Sequence, residues 1–107
     1  MTNRDFIVVT TTHEAEDKAR ELATAVVRER LAACAQVYRI QSVYWWEGEV
    51  QDSAEWRVDF KTRADLGDRL AAFIGAQHEY GTPEIIGVPV VTGSAAYLDW
   101  VNAETAR

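Results

Sequence analysis

The spacing of apolar positions changes repeatedly along the chain, and each change marks a new element. In "DFIVVTTT" (Asp5–Thr12) the stretch Phe6–Val9 has no polar interruption. Such a run predicts a strand covered on both faces. Ala15, Ala19, Leu22, Ala23, Val26 and Val27 then recur at helical spacing, with Glu16, Lys18, Arg20, Glu21 and Arg28 largely off that stripe. A helix over about residues 14–30 follows from it. Thr11 with Glu14 makes a capping-box pattern, and Glu14, Glu16 and Asp17 suit the positive end of the helix dipole.

From Cys34 to Thr62 the pattern reads as a long β-hairpin. In its second arm Trp56, Val58, Phe60 and Thr62 fall on one face, and Glu55, Arg57, Asp59 and Lys61 on the other. Gln51-Asp52-Ser53 is the expected turn, and Gly48 the site of a bulge or a close backbone approach. Helical spacing returns at Leu66, Leu70, Phe73, Ile74 and Gln77, with Asp65 as its N-cap. Gly67 and Gly75 should each weaken that helix by about 1 kcal/mol relative to alanine. Pro83 and Pro89 put the next strand at an edge or in an irregular position. Ser94 caps a short last helix carrying Tyr97, Leu98, Trp100 and Val101.

The order is β-α-β-β-α-β with an added C-terminal helix. Its simplest architecture is α+β: the ferredoxin-like split βαβ, an antiparallel four-stranded sheet with two helices on one face. That arrangement leaves the second sheet face bare, while the first strand is apolar on both sides. Soluble monomers rarely expose such a patch, so an oligomer that buries the open face is expected.

Length and composition narrow the class. The 107 residues form one domain, residues 1–107, with room for a single core. A content of 48% hydrophobic and 26% charged residues belongs to a globular chain. The formal charge of −6 argues against nucleic acid and against anionic membrane surfaces. No apolar run approaches the roughly 18 residues that span a bilayer, and "MTNRDFIVV" lacks the order of a signal peptide. A single cysteine cannot close an internal disulfide, which points to the cytoplasm.

Candidate chemistry is sparse. His13, at the entry to the first helix, Cys34 and His78 are too far apart in sequence to match any metal motif, so a closed structural zinc site is not expected. A surface site for copper or zinc at His78, helped by Glu79, Glu84 or a neighbouring subunit, is more open, since imidazole suits both ions. Against it stands His78 as a cation at a helix C-terminus. Cys34, inside "RLAACAQV", reads as a core residue. Neither a nucleophile motif nor a phosphate-cradling loop is present, and no enzymatic activity is expected. In "YWW" (Tyr44–Trp46) successive side chains point to opposite sheet faces, so Trp45 and Trp46 cannot both enter their own core. One should meet another chain or a ligand.

Five blocks, "ERLAACAQV", "YWWEGEV", "EWRVDFKT", "HEYGTPEIIGVPV" and "GSAAYLDWV", resemble in order and spacing the CutA divalent-cation tolerance family, from about Phe6 to Ala103. The resemblance implies a ferredoxin-like subunit in a homotrimer, with the hairpin reaching to a neighbour. It further implies a role in divalent-cation tolerance, with copper or another divalent cation as ligand and no organic cofactor. It places an inter-subunit cleft at Trp46, Glu47, Glu55, Lys61, His78, Tyr80, Glu84, Tyr97 and Trp100; the metal ligands expected from the residues' own chemistry are His78, Glu79 and Glu84. By fold analogy to the PII signalling proteins, the alternative is a sensor that binds a metabolite in this cleft. Two departures stand out. The family's His-Pro-Tyr-Glu is here His78-Glu79-Tyr80-Gly81, and Thr10, Thr11 and Thr12 lie where some members carry a cysteine suited to copper. A soft thiolate is thus missing, which weighs against tight Cu(I) binding.

Overall fold

The computed structural model of the protein describes residues 5–106; residues 1–4, part of the stretch read for a signal peptide, lie outside them. Strand β1 (Phe6–His13) leads into helix α1 (Glu16–Arg28), and strands β2 (Cys34–Trp46) and β3 (Glu49–Arg63) form the hairpin. A short 3-10 turn (Ala64–Leu66), helix α2 (Gly67–Gln77), strand β4 (Ile85–Pro89) and helix α3 (Ala95–Thr105) complete the chain. The strands make one antiparallel sheet in the order β2-β3-β1-β4, the arrangement expected of a split βαβ fold. β4, with Pro83 shortly before it and Pro89 at its end, takes an edge, where a missing N–H costs least.

The register fixes which residues face which layer. Val9 pairs with Phe60 and Thr11 with Val58, so these side chains share the face that α1 and α2 cover. Val58, Phe60 and Thr62 are fully buried there, with Leu22 and Val26 of α1 and Leu70 and Ile74 of α2. The alternation read in β3 is therefore the boundary of the core. α2 approaches closely enough that a Cβ at Gly67 would lie 2.9 Å from Ile7 Cδ1. Glycine, unfavourable for the helix, here permits the packing.

The opposite face is not wholly bare. Phe6 is buried against Ala33, Leu98 and Val101, so α3 covers the proximal end of that face. Arg30 holds α3 in place: its guanidinium donates to the backbone carbonyl and to the carboxylate of Glu104, both at 2.9 Å. Farther along, Val88 and Ile86 remain about half exposed.

Four local expectations fail for identifiable reasons. The hairpin turn is Glu47-Gly48, both at positive φ (52° and 79°), whereas Gln51, Asp52 and Ser53 sit in β3 opposite Tyr44, Val43 and Ser42. A two-residue turn with positive φ matches the twist of the strands it joins, so Gly48 is neither a bulge nor a close approach. Thr11 does not cap α1: β1 runs on to His13, Thr11 is fully buried, and the helix starts at Glu16 with no side-chain cap. Asp65 does not cap α2 either; it pairs with Arg63 at 3.2 Å within the 3-10 turn. Cys34 is only partly buried, because β2 begins at the sheet rim rather than in the core. The Ser94 cap does form, its hydroxyl accepting from the N–H of Tyr97 at 3.4 Å.

Thirteen residues of β2 at about 3.3 Å each extend about 43 Å, close to the longest dimension of the molecule, 45 Å. The distal third of the hairpin therefore projects beyond the helical layer. Among the described residues no other element covers it, and Val43, Trp45 and Val50 on one face and Tyr44 and Trp46 on the other are exposed. No helix among those residues is long and apolar enough to cross a membrane.

Candidate functional site

The antiparallel pairing of β1 with β4 determines what gathers at the C-terminal end of β1. Ile85 opens β4 opposite Thr11, so the segment 78–84 must pass beside His13. There the His78 ring lies flat on His13, with centroids 3.9 Å apart and planes within 4°, and Tyr80 tilts against both rings. His78 Nε2 lies 2.6 Å from the carbonyl of Thr12, and the backbone N–H of Tyr80 donates to His78 Nδ1 at 3.1 Å. A carbonyl only accepts, so the proton sits on Nε2 and the lone pair on Nδ1. The Tyr80 hydroxyl donates to Glu55 at 3.0 Å. Lys18 and Glu79 close the outer rim with an exposed ion pair at 2.9 Å.

Burial sets the electrostatics here. His13 is almost wholly enclosed, and its pKa falls below 6.5, first through desolvation and then through the neighbouring His78. Desolvation, reinforced by the bond to Glu55, raises the Tyr80 phenol far above its ordinary value. The Lys18 ammonium holds the Glu79 carboxyl below the usual carboxylate range. The His13 shift has a definite sign in stability. The unfolded state takes up a proton near pH 6.5 while the folded state still refuses it, so stability should fall as the pH drops through that value toward the folded pKa. Above that window His13 contributes no pH dependence. Urea unfolding midpoints from about pH 8 to about pH 5 should decline less steeply for His13→Phe than for the original chain; equal slopes would remove His13 as the cause.

A second group lies toward the other end of the sheet, on the face that α1 and α2 do not cover. Cys34 and Lys61 are cross-strand partners, the Lys61 ammonium donates to Gln36, and Cys34 Sγ lies 3.2 Å from the Tyr97 hydroxyl. Burial and this contact push the Tyr97 phenol up to about 12. Trp100 packs beside Tyr97 with ring centroids 5.7 Å apart. Between the two groups, Tyr38 and Thr10 both donate to Asp59, at 2.7 and 2.8 Å, and Glu84 approaches Arg57 at 3.9 Å.

The nine residues expected to line one cleft thus divide within a chain. Glu55, His78 and Tyr80 join at one end; Lys61, Tyr97 and Trp100 cluster at the other. Glu84 stands with Arg57, while Trp46 and Glu47 lie at the hairpin tip. The expected metal ligands do not converge. Both ring nitrogens of His78 are engaged, Glu79 is paired with Lys18 and Glu84 faces Arg57. Among the described residues, no three His, Cys, Asp or Glu side chains are grouped so as to hold a metal ion. The residue set aside in the sequence on spacing is His13, placed there at a helix entry when it ends a strand and meets His78. A paired β1 and β4 would have revealed it, since that pairing alone brings residues 13 and 78 together.

The sequence profile of the CutA1 divalent ion tolerance protein family matches residues 7–104. The Thermus thermophilus divalent-cation tolerance protein CutA is 38% identical over 99 residues, which cover 92% of this chain and 96% of that protein. Rice "Protein CutA 1, chloroplastic" is 42% identical over 100 residues, 92% of this chain, but the chain spans only 56% of the rice protein's length. In structure, CutA from Synechococcus elongatus superposes with a TM-score of 0.95 at 33% identity, covering 99% of this chain and 95% of its own. A match from one end of the sheet to the last helix, in sequence and in fold alike, means that the chain belongs to the CutA1 divalent ion tolerance protein family.

Proposed function

We propose that the protein works as a homotrimer that binds a divalent cation, copper among the candidates, in the service of cation tolerance, and that it is not an enzyme. The observation that carries this reading is the distal hairpin. Trp45 and Trp46 are 74% and 52% exposed on opposite faces of a two-stranded ribbon. The described residues of their own chain cover neither, whereas neighbouring copies would cover both. The cation is suggested by the relatives, since the Thermus protein is named for divalent-cation tolerance. An excess of 17 acidic over 11 basic residues supports it by giving the chain a negative field, and makes nucleic acid an unsuitable partner. The single cysteine suits a reducing compartment, and we assign the protein to the cytoplasm.

Growth under metal stress tests the reading. Expression of the chain in a bacterial host lacking its own CutA protein should raise the Cu(II) or Zn(II) concentration at which growth halts. A chain that is soluble in the host yet shifts tolerance to neither ion would overturn it.

A further inference from the structure

We infer that His78 is a positioning residue in this protein and not a metal ligand: its imidazole, fixed as the Nε2–H tautomer, ties the end of β1 to the segment before β4 and sets Tyr80 on Glu55. A metal at His78 is what its imidazole beside Glu79 and Glu84 suggests in the sequence, and the local geometry does not fit it. Binding a cation takes a nitrogen lone pair. The ring has one, on Nδ1, and it accepts the backbone N–H of Tyr80 at 3.1 Å. The other nitrogen donates to the carbonyl of Thr12 at 2.6 Å. Freeing either would strand a backbone group in a partly buried place. Rotating the ring outward would also break the stack on His13.

The same contacts describe a device with three parts. His13 and Tyr80 hold the ring from its sides, Thr12 and the Tyr80 backbone fix its rotation, and the Tyr80 side chain then reaches Glu55 at 3.0 Å. A link of this kind joins the end of β1, the segment 78–84 and β3 where the ladder between β1 and β4 has stopped at Thr11 and Ile85. The inference stands whichever ion the assembled protein binds, because it concerns only this imidazole.

Imidazole nitrogen NMR on the full-length chain, titrated with Zn(II) and separately with Cu(II), tests it. The His78 spectrum should show a protonated Nε2 and an unprotonated Nδ1, and stoichiometric Zn(II) should leave both resonances in place. Selective shifting by Zn(II), or selective broadening by Cu(II), at the His78 nitrogens would overturn the inference. Variants separate positioning from ligation. In His78→Asn the introduced amide oxygen can still accept from Tyr80, whereas His78→Ala offers no acceptor. Hydrogen exchange at the Tyr80 backbone amide should therefore speed up in His78→Ala and slow again toward the original in His78→Asn, with Zn(II) affinity unchanged in both. A loss of affinity of about tenfold or more in both variants would contradict it. Should His78→Ala fail to fold, the titration of the unaltered chain decides alone.

Discussion

Replacing Trp45 and Trp46 together by serine is expected to yield a folded chain that no longer assembles. Both side chains stand on the projecting end of the hairpin, across from Val50 and Glu49, beyond the helices and away from the core cluster. Removing them from an isolated chain takes away little buried area, so the unfolding free energy of one subunit should change by about 0.5 kcal/mol or less. In an interface the same side chains behave differently. A well-buried interfacial tryptophan typically costs about 2 kcal/mol or more on truncation. Two of them, even counted conservatively, would weaken association by about a thousandfold. Sedimentation velocity beside circular dichroism reads both quantities at once. Assembly that survives the double substitution would show that the tip aromatics are not the seam.

Phe60→Ala is expected to have the opposite signature. Phe60 is fully buried toward the end of β3, paired with Val9 and Ala35 and enclosed with Leu70 and Ile74. Truncating a buried phenylalanine typically costs about 3–5 kcal/mol, through lost transfer energy and the cavity left behind. Against a total of about 5–15 kcal/mol for a domain, this is a large share. The urea midpoint should fall sharply even at protein concentrations where subunits remain associated. An unchanged midpoint would mean that the sheet and helices do not share the core described. The two lesions thus separate what folds the subunit from what joins subunits.

Much of this was legible in the sequence. Period-two alternation from Trp56 to Thr62 located both the strand and its buried face, because a strand lying between helices and an outer surface must alternate. The stripe from Ala19 to Val26 located α1, and Pro83 and Pro89 located the edge. What failed was local and had a common origin: tertiary pairing overrode capping and turn chemistry. Thr11 belongs to a ladder with Val58 and so is unavailable as a cap. Glu47-Gly48 was hidden because glutamate at positive φ is unusual, whereas Gln51-Asp52-Ser53 is polar in the manner of a turn yet pairs as a strand. The candidate site was less legible still. Family spacing selected His78, Tyr80 and Glu55, which do meet, but gave no hint that His13 completes the stack. That contact depends on two strands about seventy residues apart lying side by side.

Native mass spectrometry of the full-length chain, sprayed from near-neutral volatile buffer, addresses the assembly most directly. Three copies per particle are expected, with the exposed tryptophans of each hairpin covered by its neighbours. A particle of one copy, stable across the accessible concentration range, would leave those side chains in water and contradict the trimer on which the proposed function rests.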